Sequence, residues 1–397
     1  MESCRAAEHA LVAALVLGEA DPADLSGRLR ASDFTDPVAA LLFDVAMDAP
    51  PQARKTLGQD LPRLLRARGA LRSDGYPLRE VLDWLPQLPV PAHPEPWAAL
   101  VVAGSVGRVV GQCGVRLMQA SETAMTSQAY GAGRVLAVAV AQRAAVHAAA
   151  RRWNDLPASW REAVPQPTAE VPIADRGGAG AGSVGARAWS AAPGVERDLL
   201  SALVAAPVLV ERLSWLRAKD FAEPACGRLY ETVAALHTAG RRVDLITLTA
   251  ALETAPDGPV GPSAHAGADR GERLGGIDPR LGQPSLAGFL AREVMTVSVL
   301  RDAHDTGVGL YQVATAPPAA GGAGLALLGQ ALGRLDALAA HGRRWQQAHL
   351  RPSSDVGRAG LQNARRSLTL VRSSSVVALP ASNTPTVRTA GSDRTAG

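Results

Sequence analysis

Aromatic residues make up only 4% of this 397-residue chain, and cysteine occurs three times. So few rings exclude one large aromatic core. Cys4, Cys113 and Cys226 are odd in number and contain no CxxC pair, which excludes a disulfide framework or a zinc cage and fits a reducing compartment. Lysine is nearly missing: Lys55 and Lys219 are the only two among 41 basic residues. Long apolar runs are also missing, since Arg134 and Arg143 interrupt even the alanine-rich stretch through 150, so no bilayer span is expected. The short apolar run 10–17 follows Glu2 and Glu8, the wrong sign for a signal peptide. The expectation is a soluble cytoplasmic protein without a membrane partner.

What the chain does have is alanine, arginine, 39 glycines and 28 prolines, with a formal charge of +4. The charge is uneven. Residues 346–397 carry seven arginines against Asp355 and Asp393, a surplus that leaves the remainder close to neutral. Any electrostatic attraction to nucleic acid must therefore come from this tail, above all from Arg358, Arg365, Arg366 and Arg372. The length suits two ordinary domains plus linkers.

One internal repeat organises the sequence. Glu8, Leu11, Ala14, Leu15 and Val16 recur as Glu196, Leu199, Ala202, Leu203 and Val204. The run holding Asp33, Phe34 and Pro37 returns with Asp220, Phe221 and Pro224, and Phe43 pairs with Tyr230. Arg151-Arg152-Trp153 returns as Arg343-Arg344-Trp345. Order is kept at displacements of 187 to 192 residues, which implies two copies of one domain, 1–153 and 194–345. Between them lies a Pro/Gly/Ala-rich linker, 154–193, and residues 346–397 form a disordered basic tail.

Both copies read as helical, so the expected class is all-α: two similar domains, each a small helical head plus a long αα-hairpin. Asp36 and Glu223 stand at N-cap positions with Pro37 and Pro224 at the first helical position, so a helix starts there in each copy. The second of these closes near Gly240, and Asp244 then caps a run through Leu245, Ile246, Leu248 and Leu252. The first copy offers no equally clear counterpart, because Pro50, Pro51 and Pro62 interrupt it. Each copy ends in two long helical stretches, 97–124 with 134–153 and 286–314 with 325–347, parted by glycine- or proline-containing breaks. A Gly/Pro-rich loop is expected over 255–284.

The succession of an E-x-x-L-x-x-A-L helix, R-A-K-D-F-x-x-P with Leu229-Tyr230, G-R-R-V-D-L-I-T-L at 240–248 and a terminal helical hairpin resembles the N-terminal domain of DnaB-type bacterial replicative helicases. The second copy matches over nearly its whole length. The first matches at 8–16 and 29–43 and lacks the V-D-L-I-T-L segment. The resemblance implies an all-helical collar domain whose hairpins pair, and replicative helicase or primase as partners. It also implies a pseudo-dimer within one chain, with three chains able to close a ring. That family's motor needs G-x-x-x-x-G-K-[ST], in which backbone amides and a lysine cradle phosphates. Lys55-Thr56 is the only Lys-[ST] pair here, and Arg54 and Ala49 stand where glycines belong. The expectation is a collar without a motor: no enzyme, no cofactor, no catalytic or metal site.

Other motifs have simpler explanations. Gly180, Gly182 and Gly185 fit G-x-G-x-x-G but sit among prolines and glycines, which reads as linker rather than as a dinucleotide loop. His304 beside Asp302 and Asp305 reads as a solvated helix face, and His9 and His237 as partly buried fillers. The two Arg-Arg-Trp triplets can bind a carboxylate or stack on a base; the plainer reading packs the tryptophan and leaves the arginines in water. The tail's arginines can contact DNA phosphates or simply confer solubility. Two classes of function thus stand open: a replication-associated interaction module, or a DNA-binding accessory acting through its tail. A degenerate helicase relative is a third.

Overall fold

Helix periodicity governs the architecture: apolar residues recur every three to four positions, and caps and glycines set the ends. The computed structural model describes residues 2–50, 57–68, 93–126, 131–163, 194–254, 277–315 and 323–350, and all regular structure among them is helical. The fold is all-α, as expected. In the first half, α1 (Glu2–Val16), α2 (Pro22–Leu25), α3 (Pro37–Asp48) and α4 (Leu57–Ala67) build a head, followed by the long helices α5 (Glu95–Thr126) and α6 (Ala132–Asn154) and the short α7 (Ala158–Ala163). In the second half, α8 (Val195–Ala205), α9 (Leu209–Arg212), α10 (Pro224–Thr238) and α11 (Leu245–Thr254) precede α12 (Ala287–Thr315) and α13 (Ala323–Leu350). Single 3-10 turns occupy Ala31–Asp33, Ala218–Asp220 and Pro284–Leu286.

The starts of α3 and α10 differ in chemistry. Asp36 accepts a hydrogen bond from Val38 N at 2.8 Å, with Pro37 behind it, as a cap should. Glu223 precedes Pro224 but makes no side-chain cap. Its longer carboxylate instead meets Arg197 at 3.1 Å and the Cys226 thiol at 3.1 Å, which corrects its expected capping role. At the far end of α10, Gly240 has φ +65°, and Arg241 N reaches back to Leu236 O at 2.9 Å. This left-handed closure needs glycine. Asp244 caps α11 as expected, accepting from Thr247 N at 2.8 Å while Thr247 Oγ1 accepts from Asp244 N. Those bonds hold the Asp244 carboxyl below its ordinary range.

Four regions depart from the sequence expectation, one of them the start of the expected disordered tail 346–397, whose residues 346–350 belong to α13. The first head does hold a helix where the prolines argued against one: α4 runs through Pro62 and buries Leu57, Leu61 and Leu65. Pro62 forfeits one backbone donor, and a leucine stripe at four-residue spacing offsets that loss. The expected linker 154–193 begins with ordered structure, as Leu156 and α7's Trp160 are buried and Arg28 lies 4.9 Å from the Trp160 ring centre. Residues 164–193, with the G-x-G-x-x-G motif, lie outside the described residues. In the expected loop 255–284, the last residues pack on α8: Ile277 is buried, Asp278 N donates to Ser201 Oγ at 3.2 Å, and a Cβ on Gly282 would stand 2.4 Å from Ser201 O.

The four long helices α5, α6, α12 and α13 pack together, and α5 against α12 is the most extensive helix contact of the molecule. The described residues form one compact unit. By length and composition, α5 is apolar enough to cross a membrane, contrary to the expectation that no stretch would be; half of its apolar window is buried inside the protein.

The packing of α4 is testable. Leu61 is fully buried. Leu61→Ala is expected to lower unfolding free energy by about 2–5 kcal/mol in urea titrations; an unchanged midpoint would mean that α4 does not pack on the head.

Candidate functional site

A carboxylate inside a protein must find several donors or it unfolds the site around it. Asp33 and Asp220, in the 3-10 turns, are both essentially inaccessible to solvent. Asp33 accepts from Arg30 N at 2.8 Å, from Ser105 Oγ of α5 at 2.9 Å, and bidentately from Arg152 of α6 at 2.8 and 2.5 Å. Asp220 accepts from Arg217 N at 2.8 Å, from Ser298 Oγ of α12 at 3.4 Å, and bidentately from Arg344 of α13 at 2.7 and 3.0 Å. In each half this lock ties the head to both helices of the hairpin. The Asp33 carboxylate raises the Arg152 guanidinium further above its ordinary value.

A second buried carboxylate completes each head. Glu8 of α1 accepts from Thr35 N and Asp36 N at 2.8 and 2.9 Å, and Glu196 of α8 accepts from Ala222 N and Glu223 N at 2.6 and 3.2 Å. Burial pushes the Glu196 carboxyl up. Arg108 of α5 reaches Thr35 Oγ1 at 2.6 Å and the Asp33 carbonyl, while Arg301 of α12 reaches the carbonyls of Lys219, Asp220 and Phe221 at 3.2 to 3.3 Å. Phe34 stacks against Phe43 at 4.9 Å between ring centres, and Phe221 against Tyr230 at 5.3 Å. Burial pushes the Tyr230 hydroxyl up to about 12.

The Arg-Arg-Trp triplets are therefore not an exposed recognition pair. Arg152 and Arg344 are committed to the internal locks, and Trp153 is 2% exposed; only Arg151 and Arg343 lie in solvent. The correction follows from helical spacing, which turns the middle residue of each triplet toward the head. Trp345 donates to Thr296 Oγ1 at 3.1 Å, whereas Trp153 Nε1 is buried with no partner. The first half has Ala103 at the position of Thr296. His304 departs from the solvated-face expectation: it lies 3.7 Å from Glu122 of α5 and 3.6 Å from Asp305. His9 meets Asp36 at 2.9 Å and His237 meets Glu211 at 3.0 Å. Arg358, Arg365, Arg366 and Arg372 lie outside the described residues.

The two hairpins meet across glycine. A Cβ on Gly114 of α5 would stand 2.5 Å from the Gly307 carbonyl of α12, and one on Gly307 would stand 2.7 Å from the Gly114 carbonyl. Each backbone thus occupies the space that a side chain on the other would need. Gly111 lies against Ala314, Gly133 against Trp345 and Gly342 against Leu136, so α5 runs antiparallel to α12 and α6 to α13. Arg143 and Asp336 bridge α6 and α13 at 2.6 Å. The faces by which the hairpins could pair with others are thus taken up within the chain.

Two clusters bring chemically capable side chains together. His341 stands between Asp302, 2.8 Å from Nδ1, and Ser298, 3.4 Å from Nε2. This is the order of a nucleophile relay, but His341 Nε2 also lies 3.4 Å from Asp220 Oδ1, and Ser298 is 2% and His341 4% exposed, so both face the protein interior. Glu196, Glu223 and Cys226 place ligand atoms within 4.8 Å of one another. There Glu196 accepts from two backbone donors, and burial beside Glu223 pushes the Cys226 thiol up.

Residues 190–262 match the family model described as the DnaB-like helicase N terminal domain. No curated protein matches the chain. No solved structure matches it either. The matched segment covers the second head from α8 through α11 and includes Glu196, Asp220, Phe221, Pro224, Tyr230 and Asp244.

Two outcomes follow from the locks. Asp33→Ala leaves the half-buried Arg152 without its partner and the Arg30 N–H and Ser105 hydroxyl without their acceptor, and is expected to cost about 2–3 kcal/mol, seen as a lower denaturant midpoint; a loss typical of an exposed pair would refute the lock. Ala103→Thr gives Trp153 Nε1 the acceptor that Trp345 has and is expected to add about 1 kcal/mol of stability, checked by calorimetry.

Proposed function

We propose that this chain is a non-catalytic, cytoplasmic, replication-associated interaction protein made of two helicase-collar-type domains in tandem, without the motor. The observation that carries the reading is the family match over the second head together with the same Asp–Arg lock, Glu anchor and ring pair in the first, at corresponding positions. The match supports a helicase-related role. Extending it to the first half rests on the repeated lock.

In this reading the chain behaves as a built-in pseudo-dimer of collar domains, three of which can close a ring, and its partners are replicative helicase or primase. Because the hairpins' facing surfaces are occupied internally, a partner meets the outer faces of the hairpins or the heads. Purified helicase and primase are expected to be retained by immobilised protein; recovery of neither would overturn the proposal. The DNA-binding alternative rests on the arginine surplus of the tail. Deleting 352–397 separates the two, since partner retention should survive the deletion, whereas salt-sensitive DNA binding carried by the tail should vanish with it.

A further inference from the structure

The repeat makes it possible to ask what each hairpin would meet if it paired with a copy of itself. Corresponding positions in α5 and α12 differ by 193, as Ser105 with Ser298 and Gly114 with Gly307; those in α6 and α13 differ by 192, as Arg152 with Arg344. Keeping the observed antiparallel register, each contact across the bundle can be rewritten with the other half's residue.

Gly111 forms the notch that takes Ala314, with 3.3 Å between a Cβ on Gly111 and the Cβ of Ala314. A pair of second-half hairpins would put His304 in that notch. Gly133 makes room for Trp345, its Cβ position lying 3.3 Å from the ring, and a second-half pair would put Leu325 there. A pair of first-half hairpins is crowded elsewhere, where a leucine tip would have to shift. Gly342 accommodates Leu136, with its Cβ position only 2.7 Å from Leu136 Cδ2, and the first half would present Ala150 instead. Charge follows the same logic. Arg143 faces Asp336 in the mixed pair, but would face Ala144 in a first-half pair, while Asp336 would face Leu335 in a second-half pair. The Glu122–His304 contact likewise exists only between unlike halves.

We infer that the two hairpins are coded to pair with each other and against self-pairing, with Gly111, Gly133 and Gly342 as the steric determinants and Arg143–Asp336 as the charge determinant. The preference combines fit to the right partner with clash against the wrong one, which is how discrimination is achieved when both candidates share a fold. The tether between the halves raises their effective concentration but cannot choose between like and unlike faces. The inference rests on the two-domain reading above, and its test uses no helicase or primase, so failure of the partner assignment and failure of the pairing code are distinguishable.

The test cuts the tether after folding. A site-specific protease sequence placed within 164–193 of the full chain is cleaved, and the product is incubated with a differently tagged cleaved preparation and weighed by native mass spectrometry. The expected result is one first half with one second half at every basic unit. Appearance of two first halves or two second halves together, or separation into single halves, would overturn the inference. In the uncut chain, Gly111→Cys with Ala314→Cys brings two Cβ atoms to within a few tenths of an ångström of the roughly 3.5–4.5 Å that a disulfide spans. Oxidation should give a cross-link inside one chain on a non-reducing denaturing gel; chain-to-chain species, or no cross-link, would count against it. Gly111→His, which gives the first half the second half's residue, should reduce the cleaved 1:1 complex at least tenfold, and an unchanged amount would remove Gly111 from the code.

Discussion

The buried carboxylate of a short 3-10 turn is the constraint on which each half of the molecule depends. An aspartate that is almost wholly removed from water demands a cation with matching geometry, and the planar fork of an arginine supplies two parallel donors. Because that arginine sits near the end of the second hairpin helix, and a serine on the first hairpin helix fills the remaining acceptor site, satisfying one carboxylate fixes three elements at once: Asp33 joins the turn to α5 through Ser105 and to α6 through Arg152. Asp220 does the same through Ser298 and Arg344. A buried pair of this kind adds little net stability over an apolar substitute, yet it is costly to break and specific in direction. It therefore sets the angle between head and hairpin rather than merely gluing them.

That fixed angle lets the hairpins present defined faces. Gly114 and Gly307 bring two backbones into direct contact, and such an approach tolerates little error in orientation. Hydrophobic burial drives the four long helices together without choosing a register. The glycine notches and the Arg143–Asp336 bridge supply the choice. The chain thus separates two tasks that many bundles mix, with polar locks inside each half and steric complementarity between halves.

The helical class, the hairpins and the paired motif positions were legible because they rest on local pattern: apolar spacing, acid-Pro starts at Asp36-Pro37 and Glu223-Pro224, and the Gly240 stop. The roles of the motif residues were not. Glu8, Asp33, Glu196 and Asp220 stood out only as members of a repeated string, and only the fold shows that they are buried, since Arg152 lies 119 residues from Asp33. The same distance hid the purpose of the Arg-Arg-Trp triplets, whose arginine looked available for a ligand. One signal could have exposed it: an acid and an arginine that recur together in both copies are candidates for mutual pairing. The helix α4 was hidden for another reason. Pro62 carries a strong local penalty, and the leucine stripe that overcomes it becomes favourable only when a head exists to receive it.

The two halves are not equivalent, and the differences bear on the proposed tandem reading. Trp345 has its acceptor in Thr296 while Trp153 has none, and the second half adds His341 and Asp302 where the first has Ala149 and Val109. His341 reaches the second lock, with Nε2 3.4 Å from Asp220 Oδ1, while the Asp–Arg pair itself and the glycine crossing are the same in both halves. In a true homodimer both subunits carry every substitution, so a change favourable on one side of the symmetry axis and harmful on the other is lost. Joining the halves in one chain removes that coupling. His304 can face Glu122 on one side while Gly111 receives Ala314 on the other, an arrangement that a symmetric pair cannot hold at both ends. Asymmetry at the seam and around the locks, with the Asp–Arg pair kept in both halves, is what a fused pair whose faces have specialised for each other should show.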